Sequence, residues 1–125
     1  MRRNHRRIKS SRIRTIKFCP RTVTKDSEGV PNVSYGTAYE KQAEVWPAGG
    51  RLQVEMYGDR TTDMINLRVQ GQYEVSMQGK AYGILFDDGN QLTLGDGICV
   101  DSETPDYAVR SITPYYPVRI EAERI

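Results

Sequence analysis

Histidine and cysteine are scarce in this 125-residue sequence, which contains one His and two Cys. The single histidine, His5, lies among arginines without a neighbouring acid or nucleophile, so a histidine-based catalytic mechanism is not indicated. Cys19 and Cys99 are far apart and match no metal-binding or redox spacing. We therefore expect buried free thiols in a reducing compartment, with no metal and no cofactor.

Long apolar runs are also absent. No stretch approaches the roughly 20 apolar residues that cross a bilayer, so no membrane segment is expected. The N-terminal stretch RRNHRRIKSSRIRTIKF is basic like the start of a secretory signal, but no apolar segment follows it. The sequence therefore predicts a protein that is neither secreted nor bound to a membrane.

Acidic residues are missing from the first 25 positions, which hold ten Arg and Lys and carry a charge of +10. The other positions hold eight basic and sixteen acidic side chains, a charge of −8. We divide the chain into a basic arm, residues 1–11, and one domain, residues 12–125, because its length suits a single core. The basic arm is suited to phosphates of nucleic acid or to the acidic surface of a neighbouring copy, and a solvated tail is the third interpretation.

Helical spacing is rare, whereas alternating apolar and polar residues recur, with turn residues roughly every 8 to 12 positions. This pattern predicts an all-β fold, a small closed or partly open β-barrel. Ile65, Leu67 and Val69, for example, share one face of a predicted strand. The other predicted strands are RIRTIKFC, TAYEKQAEVW, YEVSM, YGILF, QLTL, GDGICV, DYAVRSIT and PVRIEAERI, the last with Val118, Ile120 and Ala122 opposite Arg119, Glu121 and Glu123.

Two segments between these strands are rich in turn-forming residues. Residues 25–36, KDSEGVPNVSYG, predict one long turn. Residues 87–90, DDGN, predict a tight hairpin turn between YGILF and QLTL.

Acidic side chains are the remaining candidates for chemistry. Asp87 and Asp88 could form an acid pair, but their Gly-Asn neighbours make a turn-forming role the better interpretation. Asp101, Glu103 and Asp106 lack the alternating oxygen ligands of a calcium loop. The sequence therefore predicts no catalytic residue and no enzymatic activity.

The succession AEVWPAGGR, DMINLRV, LGDGICV, PDYAVRSI and RIEAERI covers residues 37–125. In this order the segments resemble the head-closure, or stopper, family of head–tail connector proteins from tailed bacteriophages and phage-like particles. Trp46, Pro47 and Gly49 match the aromatic-Pro-x-Gly step of that family. Gly95 and Asp96 match its Gly-Asp pair, which opens a strand near the C-terminus.

The resemblance implies a non-enzymatic β-barrel that forms a ring of about six or twelve copies in a virion neck. Such a ring lies beneath the portal and adaptor, closes the DNA channel, and presents a surface to the tail or tail-terminator protein. It also implies assembly in the bacterial cytoplasm and permits non-specific contact with DNA in the channel.

The segment 51–57 is then expected to leave the barrel as an extended loop, since flanking glycines allow it to depart and return. Channel-facing positions of this loop would be Arg51, Gln53, Glu55, Tyr57 and Arg60. Contacts to another subunit or partner would be made by Leu52, Val54, Met56 and Trp46, together with Arg2, Arg3, Arg6 and Arg7 of the basic arm. The alternative is a hairpin folded against its own barrel.

A nucleic-acid-binding module is the alternative function. The basic arm would supply the electrostatic attraction, but all eight tyrosines lie outside it. The charge and the aromatic stacking platform of such modules therefore do not coincide.

Overall fold

The computed structural model of the chain describes residues 13–115 and 118–125. Within these ranges the chain forms eleven strands, one α-helix and one 3-10 helix. In chain order they are β1 (Ile13–Cys19), β2 (Arg21–Lys25), β3 (Pro31–Tyr35), β4 (Tyr39–Pro47), α1 (Arg51–Tyr57), the 3-10 helix (Gly58–Asp63), β5 (Met64–Val69), β6 (Tyr73–Gln78), β7 (Ala81–Phe86), β8 (Gln91–Leu92), β9 (Gly97–Cys99), β10 (Tyr107–Thr113) and β11 (Arg119–Arg124).

Six strands close into an antiparallel barrel in the order β1, β4, β5, β11, β10 and β9. The short strand β9 completes the barrel, since it pairs with β1 on one side and with β10 on the other. Closure gives each of these six strands a neighbour on both sides, although the three-residue β9 covers only part of β1 and of β10. The predicted all-β small barrel is confirmed, and the predicted first strand is present as β1.

The barrel interior is filled by alternate side chains of its strands. Ile16 and Phe18 of β1, Leu67 of β5 and Ile120 of β11 are fully buried there. Burying a side chain of this size stabilises a fold by about 1.5–3 kcal/mol. The predicted inward faces of β5 and β11 are thus confirmed.

A second sheet, formed by β6, β7 and β8, contributes to the same core. The ring of Phe86 on β7 lies 6.4 Å from that of Phe18 and 5.9 Å from that of Tyr39, centroid to centroid. The predicted hairpin turn between β7 and β8 is confirmed, since the backbone N of Asn90 donates to Oδ1 of Asp88 at 3.0 Å. The other oxygen, Oδ2, accepts from Lys41 at 2.7 Å.

The predicted long turn over residues 25–36 is wrong. Strands β2 and β3 pair there as a two-stranded ribbon, with Val23 opposite Val33. The turn itself is short because Oδ1 of Asp26 accepts from the backbone N of Glu28 and of Val30, each at 2.9 Å. Every residue of the ribbon strands except the half-buried Tyr35 is exposed.

The extended loop predicted over residues 51–57 is also wrong, because this segment is helix α1. Leu, Gln, Glu and Met favour a helix as well as fitting an alternating pattern. Gly58 ends the helix with a φ of 59°, a backbone conformation that favours glycine.

Cys19 and Cys99 are free and buried on the neighbouring strands β1 and β9, as predicted. Their Sγ atoms lie 3.9 Å apart. Burial, and then the neighbouring Cys19, raise the pKa of Cys99 to about 11, so this thiol stays protonated at neutral pH. In the part of the chain that the structure describes, no helix is long and apolar enough to cross a membrane.

Candidate interaction site

Helix α1 is held against the outer surface of the barrel by the buried side chain of Gln53. Its Nε2 donates to Oδ1 of Asn66 on β5 and to Oε2 of Glu121 on β11, each at 2.6 Å. Its Oε1 accepts from Nδ2 of Asn66 at 3.2 Å and from the backbone N of Gly49 at 3.0 Å. Because both ends of the buried amide have partners, the network favours this position of the helix.

Glu121 is the acceptor at the centre of this network. It is only 2% exposed, although the alternation of β11 predicted a solvent-facing side chain. Its Oε1 accepts from the hydroxyl of Tyr57 at 2.8 Å, and Oε2 lies 3.4 Å from Nη2 of Arg119. Burial, and then the hydrogen bond to Glu121, raise the pKa of Tyr57 and keep its hydroxyl a donor. These partners offset the cost of burying a carboxylate.

A second contact ties the 3-10 helix to the same strand. Arg60 binds Glu123 through two hydrogen bonds, from Nη2 at 2.6 Å and from Nε at 3.0 Å. Arg110 of β10 donates to the same carboxylate at 2.9 Å. Hydrogen bonds from Arg60 and then Arg110 lower the pKa of Glu123 from 4.5 to about 2. Segment 51–63 is thus attached to the barrel at both of its helical parts.

The five residues predicted to face a channel therefore fall into two groups in the structure. Gln53, Tyr57 and Arg60 turn towards their own barrel instead of projecting from it. Arg51 and Glu55 are exposed and form an i,i+4 pair at 3.3 Å. A pair this exposed contributes little to stability. The alternative in which this segment folds back on the barrel is correct, although it folds back as a helix and not as a hairpin.

Apolar side chains of α1 are exposed on the flanks of the docked helix. Leu52 and Met56 lie one helical turn apart on the same flank and are 73% and 67% exposed. Val54 lies on the opposite flank and is 51% exposed. The three residues predicted as contacts are thus accessible, but they do not share the single face that an extended strand would give them.

Trp46, the fourth predicted contact of the body, is partly buried near the end of β4. It lines an open cleft of 520 Å³ together with Glu44, Val45, Pro47 and Arg68. The cleft carries a charged pair, because Nη2 of Arg68 donates to Oε1 of Glu44 at 2.8 Å. The position at a strand end agrees with the prediction, and the contact with another subunit stays a prediction.

The Gly-Asp pair anchors the base of the ribbon. Asp96 is buried, and its Oδ1 accepts from the backbone N of Arg21, the first residue of β2, at 3.0 Å. Its Oδ2 accepts from the backbone N of Thr93 at 3.0 Å. The carboxylate therefore joins the start of the ribbon to the turn before β9.

Gly97 permits close packing beside this anchor. A Cβ at this position would lie 2.8 Å from Cβ of Pro105 and 2.9 Å from Cε1 of Tyr35. Tyr35 is the last residue of the ribbon, so both ribbon ends rest on residues 95–97.

Residues capable of metal binding do not cluster in the described ranges. There, no group of three or more His, Cys, Asp or Glu side chains is arranged to hold a metal ion. Asp106 accepts from the backbone N of Val100 and of Asp101, so it shapes its own loop. Arg2, Arg3, Arg6 and Arg7, like His5, lie outside the described residues.

Asn66 and Glu121, which hold helix α1 on the barrel, are the residues of this site that sequence reasoning missed. Both occupy positions that alternate with buried apolar residues, and alternation alone assigns such positions to solvent. The available signal was the four-residue spacing of Gln53 and Tyr57, which places both on one side of a helix.

Comparison of the chain with protein-family models, curated proteins and solved structures gives no match.

Proposed function

We propose that this chain is a non-enzymatic structural subunit of a phage-type neck, assembling into a ring that connects the portal or adaptor to the tail. The observation that carries the proposal is the exposed apolar flank of Leu52 and Met56 on a helix that hydrogen bonds hold in place. Large apolar side chains exposed on a fixed element are typical of a surface that a partner covers.

Two further features support the proposal. The order of segments across residues 37–125 resembles the stopper family, and the Gly-Asp pair of that resemblance organises a buried anchor in this fold. The exposed two-stranded ribbon is a second protruding element, and such ribbons are marginal in water without a partner.

The oligomeric state tests this function. The full chain should form rings, visible in negative-stain electron micrographs, and light scattering after size exclusion should give a discrete multiple of the 14.3 kDa chain mass. The rings should form without nucleic acid. A chain that stays monomeric at every concentration, alone or with portal and tail proteins, would contradict the proposal.

DNA binding by the basic arm is the second candidate function. It is favoured by one observation, the ten basic and no acidic residues in the first 25 positions. Binding through phosphates alone should weaken steeply as salt rises and be insensitive to DNA sequence. A monomer with this behaviour would favour a nucleic-acid-binding module over a ring subunit, whereas a ring that also binds DNA would be consistent with a neck that encloses it.

A further inference from the structure

Among the described strands, only the outer strands of the two small sheets have one side without any neighbouring strand. Each of the six barrel strands has a neighbour on both sides, although β9 covers only part of β1 and of β10. The edges without any neighbour are those of the β2–β3 ribbon and of the β6–β7–β8 sheet. An unpaired edge exposes backbone donors and acceptors that can pair with a strand of another chain.

Within each small sheet, one edge is better suited to such pairing. Strand β3 begins with Pro31, which has no N–H to donate, whereas every residue of β2 has a backbone N–H, and outside the pairing with β3 only that of Arg21 is already bonded to a described residue, Asp96. Strand β8 has only two residues, and the carbonyl oxygen of Gln91 already accepts from the hydroxyl of Tyr39 at 3.1 Å. The edges of β2 and β6 are therefore the ones available.

The charges of these two edges are complementary. Strand β2 carries Arg21 and Lys25, both exposed, and no acid. Strand β6 carries Glu74, which lines an open cleft of 360 Å³ together with Asp87. Lys25, Glu74 and Asp87 are exposed, and none of them forms an ion pair with another described residue.

We propose that β2 of one copy pairs with β6 of a neighbouring copy and extends the β6–β7–β8 sheet across the interface, with Lys25 set against the acidic cleft of Glu74 and Asp87. This inference rests on the proposed ring, for which it supplies a contact between subunits. The partner is a second copy because the two complementary edges belong to the same chain.

The charges also limit which edges can pair. Two β2 edges would bring cations together, and two β6 edges would bring Glu74 against its own copy, so both self-pairings are disfavoured. The remaining contact joins different surfaces of the two copies. Repeated in one direction from copy to copy, contacts of this kind build closed rings or open chains.

The ribbon is positioned in advance for this role. Its first residue is fixed by the hydrogen bond from the backbone N of Arg21 to Asp96, and Tyr35 at its other end packs on Gly97. Asp26 and Glu28 lie in the turn and not on β2, so the strand itself presents only positive charge. A ribbon held at its base loses less conformational freedom on binding than one without such contacts.

Charge reversal tests the pairing. Lys25→Glu and Glu74→Lys should each raise the concentration needed for half-maximal assembly by about tenfold or more, because each sets like charges against one another. Glu103→Lys, which makes the same charge change as Glu74→Lys at an exposed position of the loop between β9 and β10, is the control and should assemble like the natural chain. Circular dichroism melting should show that all three variants are folded.

Mixing the two variants is the decisive measurement. At a concentration where the natural chain assembles, Lys25→Glu chains and Glu74→Lys chains should assemble poorly on their own. Mixed together they should form rings at that concentration, since every contact between unlike chains then joins opposite charges. Assembly of both single variants like the natural chain, or no recovery on mixing, would overturn the β2–β6 contact while leaving the ring itself intact. A natural chain that never assembles would overturn both this contact and the proposed function.

Discussion

Nε2 of Gln53 lies 2.6 Å from Oε2 of Glu121, which joins a seven-residue helix to the last strand of the barrel. Both side chains are almost completely buried, and the acceptor is a carboxylate. Hydrogen bonds to charged groups contribute more than neutral ones, and a buried partner left without its bond is costly. This contact therefore holds the segment between β4 and β5 on the barrel.

Replacing Gln53 tests this contact. Gln53→Ala removes the donor to Glu121 and both bonds to Asn66, so we expect the free energy of unfolding to fall by about 1–3 kcal/mol. Glu55→Ala, on the exposed side of the same helix, should change it by no more than about 0.5 kcal/mol. Urea denaturation measures the free energy of unfolding of both variants. Equal losses for the two variants would show that the hydrogen-bond network of Gln53 does not stabilise the fold.

The strands were predictable because their signal is local. In β5 and β11, buried apolar residues alternate along the chain, and the closed barrel uses that alternation directly. Helix α1 was not predictable, because Leu52, Val54 and Met56 alternate with polar residues as they would in a strand. Seven residues are too few for the helical period to be distinguished from alternation. The helix is stabilised by Glu121, 68 residues away from Gln53, and no local pattern contains that contact.

The ribbon was missed for a different reason. Residues 25–36 are rich in Gly, Pro, Asn and Ser, which favour turns, and only Asp26–Val30 forms one. The β-branched residues of β2 lie just before this range, and their cross-strand partners fall within it. Composition therefore identified the turn but extended it over a strand.

Gly97 should be intolerant of the smallest side chain. Gly97→Ala would place a Cβ 2.8 Å from Cβ of Pro105 and 2.9 Å from the Tyr35 ring, so either the loop or the ribbon base must shift. We expect a loss of about 1–3 kcal/mol of stability, the usual range for overpacking. Gly49→Ala meets no atom within 4 Å and is the matched control. Equal melting temperatures for the two variants would contradict the packing described at Gly97.

Glu123 should make stability depend on acid pH. Its pKa is lowered to about 2 in the fold from an ordinary 4.5, so its ion pairs contribute fully above pH 4.5 and are lost as pH falls towards 2. In Glu123→Gln this contribution is absent, so its melting temperature should be lower at neutral pH and converge with that of the natural chain near pH 2. Glu28→Gln, in the exposed ribbon turn, is the control, and its melting temperature should equal that of the natural chain at each pH. If the difference in melting temperature between Glu123→Gln and the natural chain did not change with pH, the ion pairs of Glu123 would not be the source of the pH dependence.

The exposed flank of α1 should affect assembly and not folding. Replacing Leu52 and Met56 together by Gln keeps good helix formers and removes apolar surface that the isolated subunit already exposes. We expect the melting temperature of the monomer to stay within a few degrees and the concentration for half-maximal assembly to rise by about tenfold or more. The control is Leu94→Gln, because Leu94 is 40% exposed and lies in the turn between β8 and β9, away from α1 in sequence. Unchanged assembly of the double variant would remove α1 from the interface.

The basic arm is predicted to act through charge shared among several side chains. We expect residues 2–9 to contact a neighbouring subunit or a partner protein, because residues 26–125 of each copy carry a net negative charge and lie nearest to the arm in a ring. DNA in the channel is the secondary target. Exposed ion pairs contribute only about 0–1 kcal/mol each, but those on one short arm act together and are screened together by salt, with a Debye length of about 10 Å at 0.1 M.

Deleting residues 1–11 should leave the barrel folded, since β1 starts at Ile13, and should weaken assembly most clearly at moderate salt. Sedimentation of the truncated and full chains across a salt series measures the effect. If both assemble equally at every salt concentration, the basic arm is only a solvated tail.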